Sequence, residues 1–260
     1  MLTVDAIAAF LKDFAPTGLA EDWDNVGLLV GDPARDVGRV MTCLTVTPAS
    51  AAEAIRDKAD LIVAHHPMPF QPVRRLTTET TTGRLLLDLI AARIAVYSPH
   101  TAFDSAAGGI NQRLAAGLQL RGIWPLRPND DGLGAGRWGW VQEPLKLGQL
   151  ADRVKQFLSI DHLRIVGDRD RSIRTVAVAC GAADDFLATA RDEGCDCILI
   201  GETRFHTCLE AEATGIGLLL PGHFASERFA VECLADVLAE QFPELEVWPA
   251  RDEHDPLQWV

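Results

Sequence analysis

Two adjacent histidines stand directly after an apolar stretch of the chain. His65 and His66 follow the run Leu61–Ala64, and Pro67 comes next. Such a run is typical of a buried strand in a parallel sheet, and proline cannot continue its hydrogen-bond ladder. We therefore expect both imidazoles at the carboxyl end of a central strand, where open α/β sheets carry their sites. Because neighbouring strand residues point to opposite faces, a shared role requires either two ions or a bend; an isolated pair is equally compatible with one packed and one exposed histidine.

Two other stretches place a histidine four positions before a carboxylate. His100 precedes Asp104 in this way, and His223 precedes Glu227. On a helical turn such residues share one face, so each pair can present a nitrogen and an oxygen to a common point. Each stretch follows a predicted buried strand, and we expect all the histidines to meet at one sheet edge. One such pair alone is more often a cap of a strand end or helix start, so the prediction depends on their combination.

Taken together, these stretches supply a set of metal ligands. Imidazole and carboxylate suit zinc, manganese, iron or cobalt. Six ligands exceed the needs of one tetrahedral ion and fit two divalent ions about 3.5–4 Å apart. The excess positive charge would lower the pKa of a bridging water and attract an anionic group, which predicts attack by a metal-bound hydroxide on carbon or phosphorus. The predicted ligands are His65, His66, His100, Asp104, His223 and Glu227.

Alternating strand and helix patterns predict how these residues are positioned. They indicate an α/β fold with mainly parallel sheets flanked by helices. A short similarity between 54–63 and 189–198 favours two similar lobes, and the Asn-, Asp- and Gly-rich segment 129–139 is the best boundary. We expect residues 1–126 plus 221–260 to form a first lobe that carries the metal ligands. Residues 127–220 would form the second lobe, with a metal cleft between the two.

The overall composition restricts the class of protein. The chain has 260 residues and a net charge of -13, which disfavours nucleic acid or an anionic membrane as its main partner. We find no apolar run of membrane-spanning length, and the first residues predict an amphipathic helix without a signal-peptide pattern. We therefore expect a cytoplasmic protein. The six cysteines lack zinc-ribbon spacing and are expected to be reduced and buried.

Several stretches resemble the NIF-three-like family of dinuclear metal proteins, whose members are often described as homologues of GTP cyclohydrolase I type 2. The resemblance extends from about residue 5 to residue 235. One of its stretches is a polar loop around a tryptophan, which from the residues alone predicts a structured turn. The stretches are Asp22–Gly27, Ala64–Pro67, Tyr97–Asp104 and Gly222–Glu227.

The resemblance implies two α/β lobes, a dimetal site built from the six predicted ligands, and a toroidal homohexamer. This chain is similar to the short form of the family, without an extra domain. It departs from the family at Thr45, where an aspartate is usual and where a change could alter metal affinity. Glu202 and His206 belong to a variable part; they either face the cleft as proton donor or substrate contact, or begin an exposed helix.

Two functions fit these expectations. The first is a metal-dependent hydrolase of a small anionic substrate, with nucleotides as the leading class, in which Asp104 and Glu227 are the catalytic residues that bridge or orient water. The alternative is a non-enzymatic metal-binding ring or regulatory interaction protein. A ring threaded on nucleic acid is disfavoured by the acidity, although Arg74, Arg75 and Arg84 could form a local basic lining.

Overall fold

A computed structural model describes residues 2–130 and 132–258. The chain forms two compact units: unit 1 runs to Phe103 and resumes at Ala230, and unit 2 is Asp104–Phe229. Among the described residues, none of the helices combines the length and the apolar composition that crossing a bilayer requires. Asp131 of the predicted boundary segment, and the last two residues of the tail, lie outside the described ranges.

Unit 1 contains a five-stranded sheet in which β3 is central. Its strands are β1 (Gly27–Val30), β2 (Arg39–Cys43), β3 (Leu61–Ala64), β4 (Ala95–Ser98) and β13 (Glu246–Pro249). The strand order is β1-β4-β3-β2-β13; β3 is parallel to β2 and β4, β13 is parallel to β2, and only β1 is antiparallel. All four residues of β3 are buried, which agrees with the apolar run that predicted this strand.

The helices of unit 1 begin at residues that can cap them. The hydroxyls of Thr3, Thr47 and Thr80 each accept a backbone hydrogen bond from the first turn of the following helix. Leu86 and Leu89 then pack with Ile62 in one hydrophobic cluster, so helix packing covers the central strand. The helices wholly within this unit are α1 (Val4–Phe14), α2 (Pro48–Arg56) and α3 (Thr81–Ala91), with a short 3-10 turn at Thr17–Leu19.

Unit 2 contains a mixed six-stranded sheet and a separate hairpin. The strands are β5 (Arg121–Trp124), β6 (Arg127–Pro128), β7 (Gly134–Ala135), β8 (Arg137–Lys146), β9 (Arg164–Val166), β10 (Ser172–Ala182), β11 (Cys197–Glu202) and β12 (Gly217–Leu220). The order in the sheet is β5-β8-β10-β11-β12-β9, and the hairpin joins β6 and β7. The centre of the sheet, β10-β11-β12, is parallel, whereas β5, β8 and β9 pair antiparallel with their neighbours.

The division between the units falls inside two helices, α4 (His100–Ser105) and α9 (His223–Gln241). The predicted boundaries lie at residues 127 and 221; the helix that follows α4 precedes residue 127 but packs on β8 and β10 of the second sheet. Within the predicted boundary segment, residues 134–135 form β7 of the small hairpin and residues 137–139 belong to β8. Unit 2 also contains α5 (Ile110–Gly117), α6 (Leu147–Leu158), α7 (Phe186–Asp192) and α8 (Phe205–Thr214).

This division distributes the predicted ligands differently from the expectation that one lobe carries all of them. The histidines at positions 65, 66 and 100 belong to unit 1. Asp104, His223 and Glu227 belong to unit 2. Helix α4 carries both His100 and Asp104.

Candidate metal centre

Three imidazoles of unit 1 form a tight cluster. One ring nitrogen from each of His65, His66 and His100 lies within 4.8 Å of the others. The chain bends at His65 and His66, immediately after β3, which brings two adjacent rings together. Their ring centroids are 5.1 Å apart, and that of His65 is 5.2 Å from the His100 ring. Nitrogen ligands gathered this closely fit a borderline divalent ion such as zinc, iron or cobalt.

The backbone behind His65 and His66 is fixed by pairing with the end of β2. The amide of His65 donates to the carbonyl of Cys43 over 2.9 Å, and the amide of His66 donates to that of Leu44 over 2.8 Å. The carbonyl of His65 also accepts a hydrogen bond of 2.6 Å from the Ser98 hydroxyl on β4. The backbone of His65 is therefore held from both neighbouring strands, and that of His66 is held from the β2 side.

His100 is oriented by Asp24 of the polar loop. The imidazole Nδ1 lies 2.7 Å from Oδ1 of Asp24, whose other oxygen accepts a hydrogen bond from the Thr101 amide over 3.1 Å. A partner at Nδ1 leaves Nε2 for a metal ion, as in many carboxylate–histidine–metal arrangements. Burial by itself would raise the pKa of Asp24, but the hydrogen bonds from His100 and Thr101 outweigh it and lower that pKa to about 2. The carboxylate is therefore ionised at neutral pH.

His66 is contacted by Thr45, which lies between the end of β2 and the start of α2. The Thr45 hydroxyl lies 2.6 Å from Nδ1 of His66. When the hydroxyl accepts a hydrogen bond from Nδ1, Nε2 is left to bind an ion. The backbone amides of Leu44 and Thr45 donate to the two carboxylate oxygens of Glu253, over 2.9 and 2.7 Å. The C-terminal segment thus takes part in holding a candidate ligand.

In unit 2, His223 lies between two carboxylates. Its Nε2 is 3.0 Å from Glu227, one turn further along α9, and its Nδ1 is 2.9 Å from Glu202 at the end of β11. Burial would lower the pKa of His223, but the hydrogen bonds and negative charges of Glu227 and Glu202 raise it to about 9. A divalent ion that binds at Nε2 would replace the proton, because metal binding requires neutral imidazole.

The Glu227 carboxylate lies close to Gly181, which has no side chain to contact it. Gly181 has a φ of +63°, and a Cβ built there would lie 2.3 Å from Oε1 of Glu227. The Gly181 amide donates to the Ser226 hydroxyl over 3.0 Å, which fixes the first turn of α9 against β10. The absence of a side chain at Gly181 leaves room for the buried carboxylate of Glu227, a candidate metal ligand.

Asp104, on α4, is supported by a second group of residues. The Cys180 thiol donates to its Oδ1 over 3.1 Å, and burial together with the charge of Asp104 raises the pKa of this thiol, so it stays protonated. Asn111 links the two by donating to the Asp104 carbonyl and accepting from the Cys180 amide. The buried Arg137 guanidinium donates to the carbonyls of Ser105 and Ala106, over 2.9 and 3.0 Å, which fixes the end of the helix.

The residues that support Asp104 have no local signature in the sequence. Cys180 was expected only to be a buried cysteine, and it lies 76 positions from Asp104, a separation that no local motif encodes. Of the two variable residues, Glu202 contacts His223, whereas His206 is exposed in the first turn of α8. The exposed helix start therefore applies to His206, and Glu202 is a hydrogen-bond partner of His223.

The chain is similar to known proteins over nearly its whole length. The model of the family Duf34/NIF3 (NGG1p interacting factor 3) matches residues 2–256. A GTP cyclohydrolase 1 type 2 homolog of Clostridium acetobutylicum is 36% identical over 229 residues, covering 87% of this chain and 85% of the relative. A protein of the same name from Clostridium perfringens is 30% identical over 262 residues, covering 100% of both chains.

A solved structure described as a Bacillus cereus protein related to NIF3 has the same fold. It superposes with a TM-score of 0.92 at 22% sequence identity and covers 100% of this chain and 99% of its own. This similarity concerns the fold alone. Since the family model extends over nearly the whole chain, the protein belongs to the Duf34/NIF3 family.

Proposed function

We propose that the protein is a metal-dependent hydrolase that acts on a small anionic substrate, with nucleotides as the leading class. The observation that carries this proposal is the cluster of three ring nitrogens from His65, His66 and His100 within 4.8 Å of one another. The His223–Glu227 pair and Asp104 supply the mixed nitrogen and oxygen donors that zinc, manganese, iron or cobalt accept. The six residues would bind two divalent ions.

The chemistry divides between the ions and the protein. Bound divalent ions supply Lewis acidity and activate water at neutral pH. The two carboxylates carry about two negative charges against about four positive ones, so the ligands leave an excess that attracts an anionic group. Asp104, held by the Cys180 thiol, and Glu227, held opposite Gly181, would orient the attacking water and accept its proton. Glu202 would keep the His223 ring aligned through Nδ1.

The substrate class has support from charge and from the relatives. A net charge of -13 opposes broad binding of nucleic acid, yet a small anion needs only the local charge of the metals. The clostridial relatives are named as homologues of a GTP cyclohydrolase, which makes a nucleotide the first substrate to test.

A homohexameric ring is the oligomer that we propose, on the basis of the family resemblance. Unit 1 exposes several large apolar side chains that an interface between copies would cover. Leu76 is 43% exposed and Ile90 is 50% exposed. Sedimentation equilibrium would give a mass near six chains if the proposal is correct; a monomeric mass would contradict it.

The alternative function is metal binding without catalysis. The family description itself names an interacting factor, which favours considering a regulatory or structural role. Structural sites are coordinatively closed, whereas catalytic sites keep a position for water or substrate. Water-proton relaxation of the manganese-loaded protein distinguishes them: an exchangeable water supports the hydrolase, and its absence supports the alternative.

The first experiment is the metal content per chain, measured by elemental analysis of protein purified without chelator or affinity metal. We expect a ratio near two and hydrolysis of nucleotides or phosphate esters by the loaded protein. His66→Ala should lose at least one ion while keeping its helix and sheet content. The exposed His162→Ala is the matched control and should keep both ions. A ratio near zero after addition of manganese, iron or zinc would overturn the proposal.

A further inference from the structure

Trp23 has a large apolar side chain that is exposed to solvent. It is 61% exposed, although the loop around it is firmly held. On its C-terminal side, Asp24 binds His100 and Thr101, and the Asn25 amide group donates to the Pro69 carbonyl over 2.8 Å. The anchored loop therefore keeps Trp23 at the surface, where the hydrophobic effect alone would not leave a large apolar side chain.

Phe70 completes an aromatic corner beside a candidate metal ligand. Its ring is 45% exposed, and its centroid is 6.0 Å from that of Trp23 with an interplanar angle of 61°. The His100 ring lies 6.0 Å from Trp23 and 6.2 Å from Phe70, at angles of 75° and 86°. At these edge-to-face angles the three rings are not stacked in parallel on one another. The Asn25–Pro69 hydrogen bond ties the two loops that carry the corner.

We propose that Trp23 and Phe70 form an aromatic subsite that stacks the planar heteroaromatic ring of the substrate while ions bound at His100 hold its anionic group. This inference rests on the proposed function and specifies the uncharged part of its substrate. Indole and phenyl rings offer π faces without charge, and stacking on such faces is how proteins bind nucleobases without reading their edges. The position beside His100 brings a stacked ring within reach of the predicted ions, so one phosphorylated ligand could engage both.

The test compares two ligands that differ in the heteroaromatic ring. Binding of GMP and of ribose 5-phosphate to the manganese-loaded full-length protein is measured by calorimetry, with metal content determined for every variant. We expect GMP to bind about tenfold or more tightly than ribose 5-phosphate, since stacking on an aromatic side chain contributes this much. Trp23→Ala should bring the ratio close to one, Phe70→Leu should reduce it, and Trp23→Phe should keep most of it.

Trp124→Ala is the matched control. This tryptophan is 59% exposed, as Trp23 is, but it lies on β5 of unit 2. The ratio should be unchanged in this variant. A drop as large as that of Trp23→Ala would overturn the assignment of stacking to Trp23.

The outcomes separate this inference from the proposed function. Equal binding of the two ligands by the unaltered protein would overturn the subsite, while ribose 5-phosphate binding and hydrolysis would leave the proposed function intact. Preferential GMP binding that depends on Trp23, without any binding of ribose 5-phosphate and without hydrolysis, would keep the subsite and contradict the hydrolase. If the ratio is one and Trp23→Ala breaks the oligomer into smaller species, the rings are instead an interface between copies, which also overturns the subsite.

Discussion

The carboxylate of Glu253 accepts a hydrogen bond of 2.7 Å from the backbone amide of Thr45. The preceding amide, that of Leu44, donates to the other carboxylate oxygen over 2.9 Å. Successive amides that converge on one carboxylate form an anion-binding turn. Because the Thr45 hydroxyl contacts His66, this turn joins the C-terminal segment to the candidate metal centre.

Replacement of Glu253 by alanine should destabilise this turn. Hydrogen bonds to a charged group contribute about 1.5–3 kcal/mol, so we expect Glu253→Ala to lower the free energy of unfolding by about 1–3 kcal/mol. Chemical denaturation measures the loss. Asp255→Ala, in the same segment, removes a local hydrogen bond that the Leu257 amide donates and should change the free energy of unfolding by about 0.5 kcal/mol or less. Equal effects of the two changes would contradict a specific role for Glu253.

Thr45 provides a direct test of how His66 is oriented. Thr45→Val keeps the shape of the side chain but removes the hydroxyl next to Nδ1. Loss of such a supporting group typically weakens metal affinity about 10- to 100-fold, and we expect a change in this range in competition with a metal-sensitive dye. Thr45→Ser should restore most of the affinity. A valine variant with unaltered affinity would show that the hydroxyl does not orient the ring.

The lowered pKa of Asp24 predicts that the stability of the folded protein depends on pH in the acid range. Its pKa is lowered to about 2 in the folded protein, from an ordinary value of 3.8. A lowered pKa means that the stabilisation is complete above about pH 4 and is lost as the pH falls through the folded value. Asp24→Asn should therefore cost about 2 kcal/mol at pH 6, and the difference from the unaltered protein should shrink towards pH 2. Urea denaturation at several pH values measures it; a constant difference would contradict the assignment.

Gly181 and Gly194 form a matched pair of positions for testing the space around Glu227. Both have positive φ, +63° and +72°, but only at Gly181 would a Cβ meet Glu227, at 2.3 Å. Alanine at either position should lower the free energy of unfolding by about 1 kcal/mol, because a residue with a Cβ is strained at positive φ. Only Gly181→Ala should also lower the metal content, because Glu227 must move. Full metal loading of Gly181→Ala would exclude Glu227 as a ligand held at this place.

Local sequence patterns were sufficient for the secondary structure that carries the candidate ligands. The apolar run before His65 predicted a buried strand, and β3 is the central strand of its sheet. The four-residue spacing of His100 and Asp104 predicted a shared helical turn, which α4 provides, and His223 and Glu227 share α9. These features follow from periodicity and from residues that end strands, and both are properties of a short segment.

Tertiary structure alone decided which groups support these ligands. Asp24 and His100 are 76 positions apart, and Glu253 and Thr45 are 208 apart. Tertiary structure also decided the boundary between the units. The sequence of α5 does not show which sheet this helix packs on. In the structure α5 packs on β8 and β10, and Asp104 belongs to unit 2. Hydrogen bonds between residues so far apart in the sequence form only where the fold brings the two chain segments together. The sequence by itself therefore determined which residue types could act as ligands and which elements carry them, whereas chain packing determined the orientation and the partners of these candidate ligands.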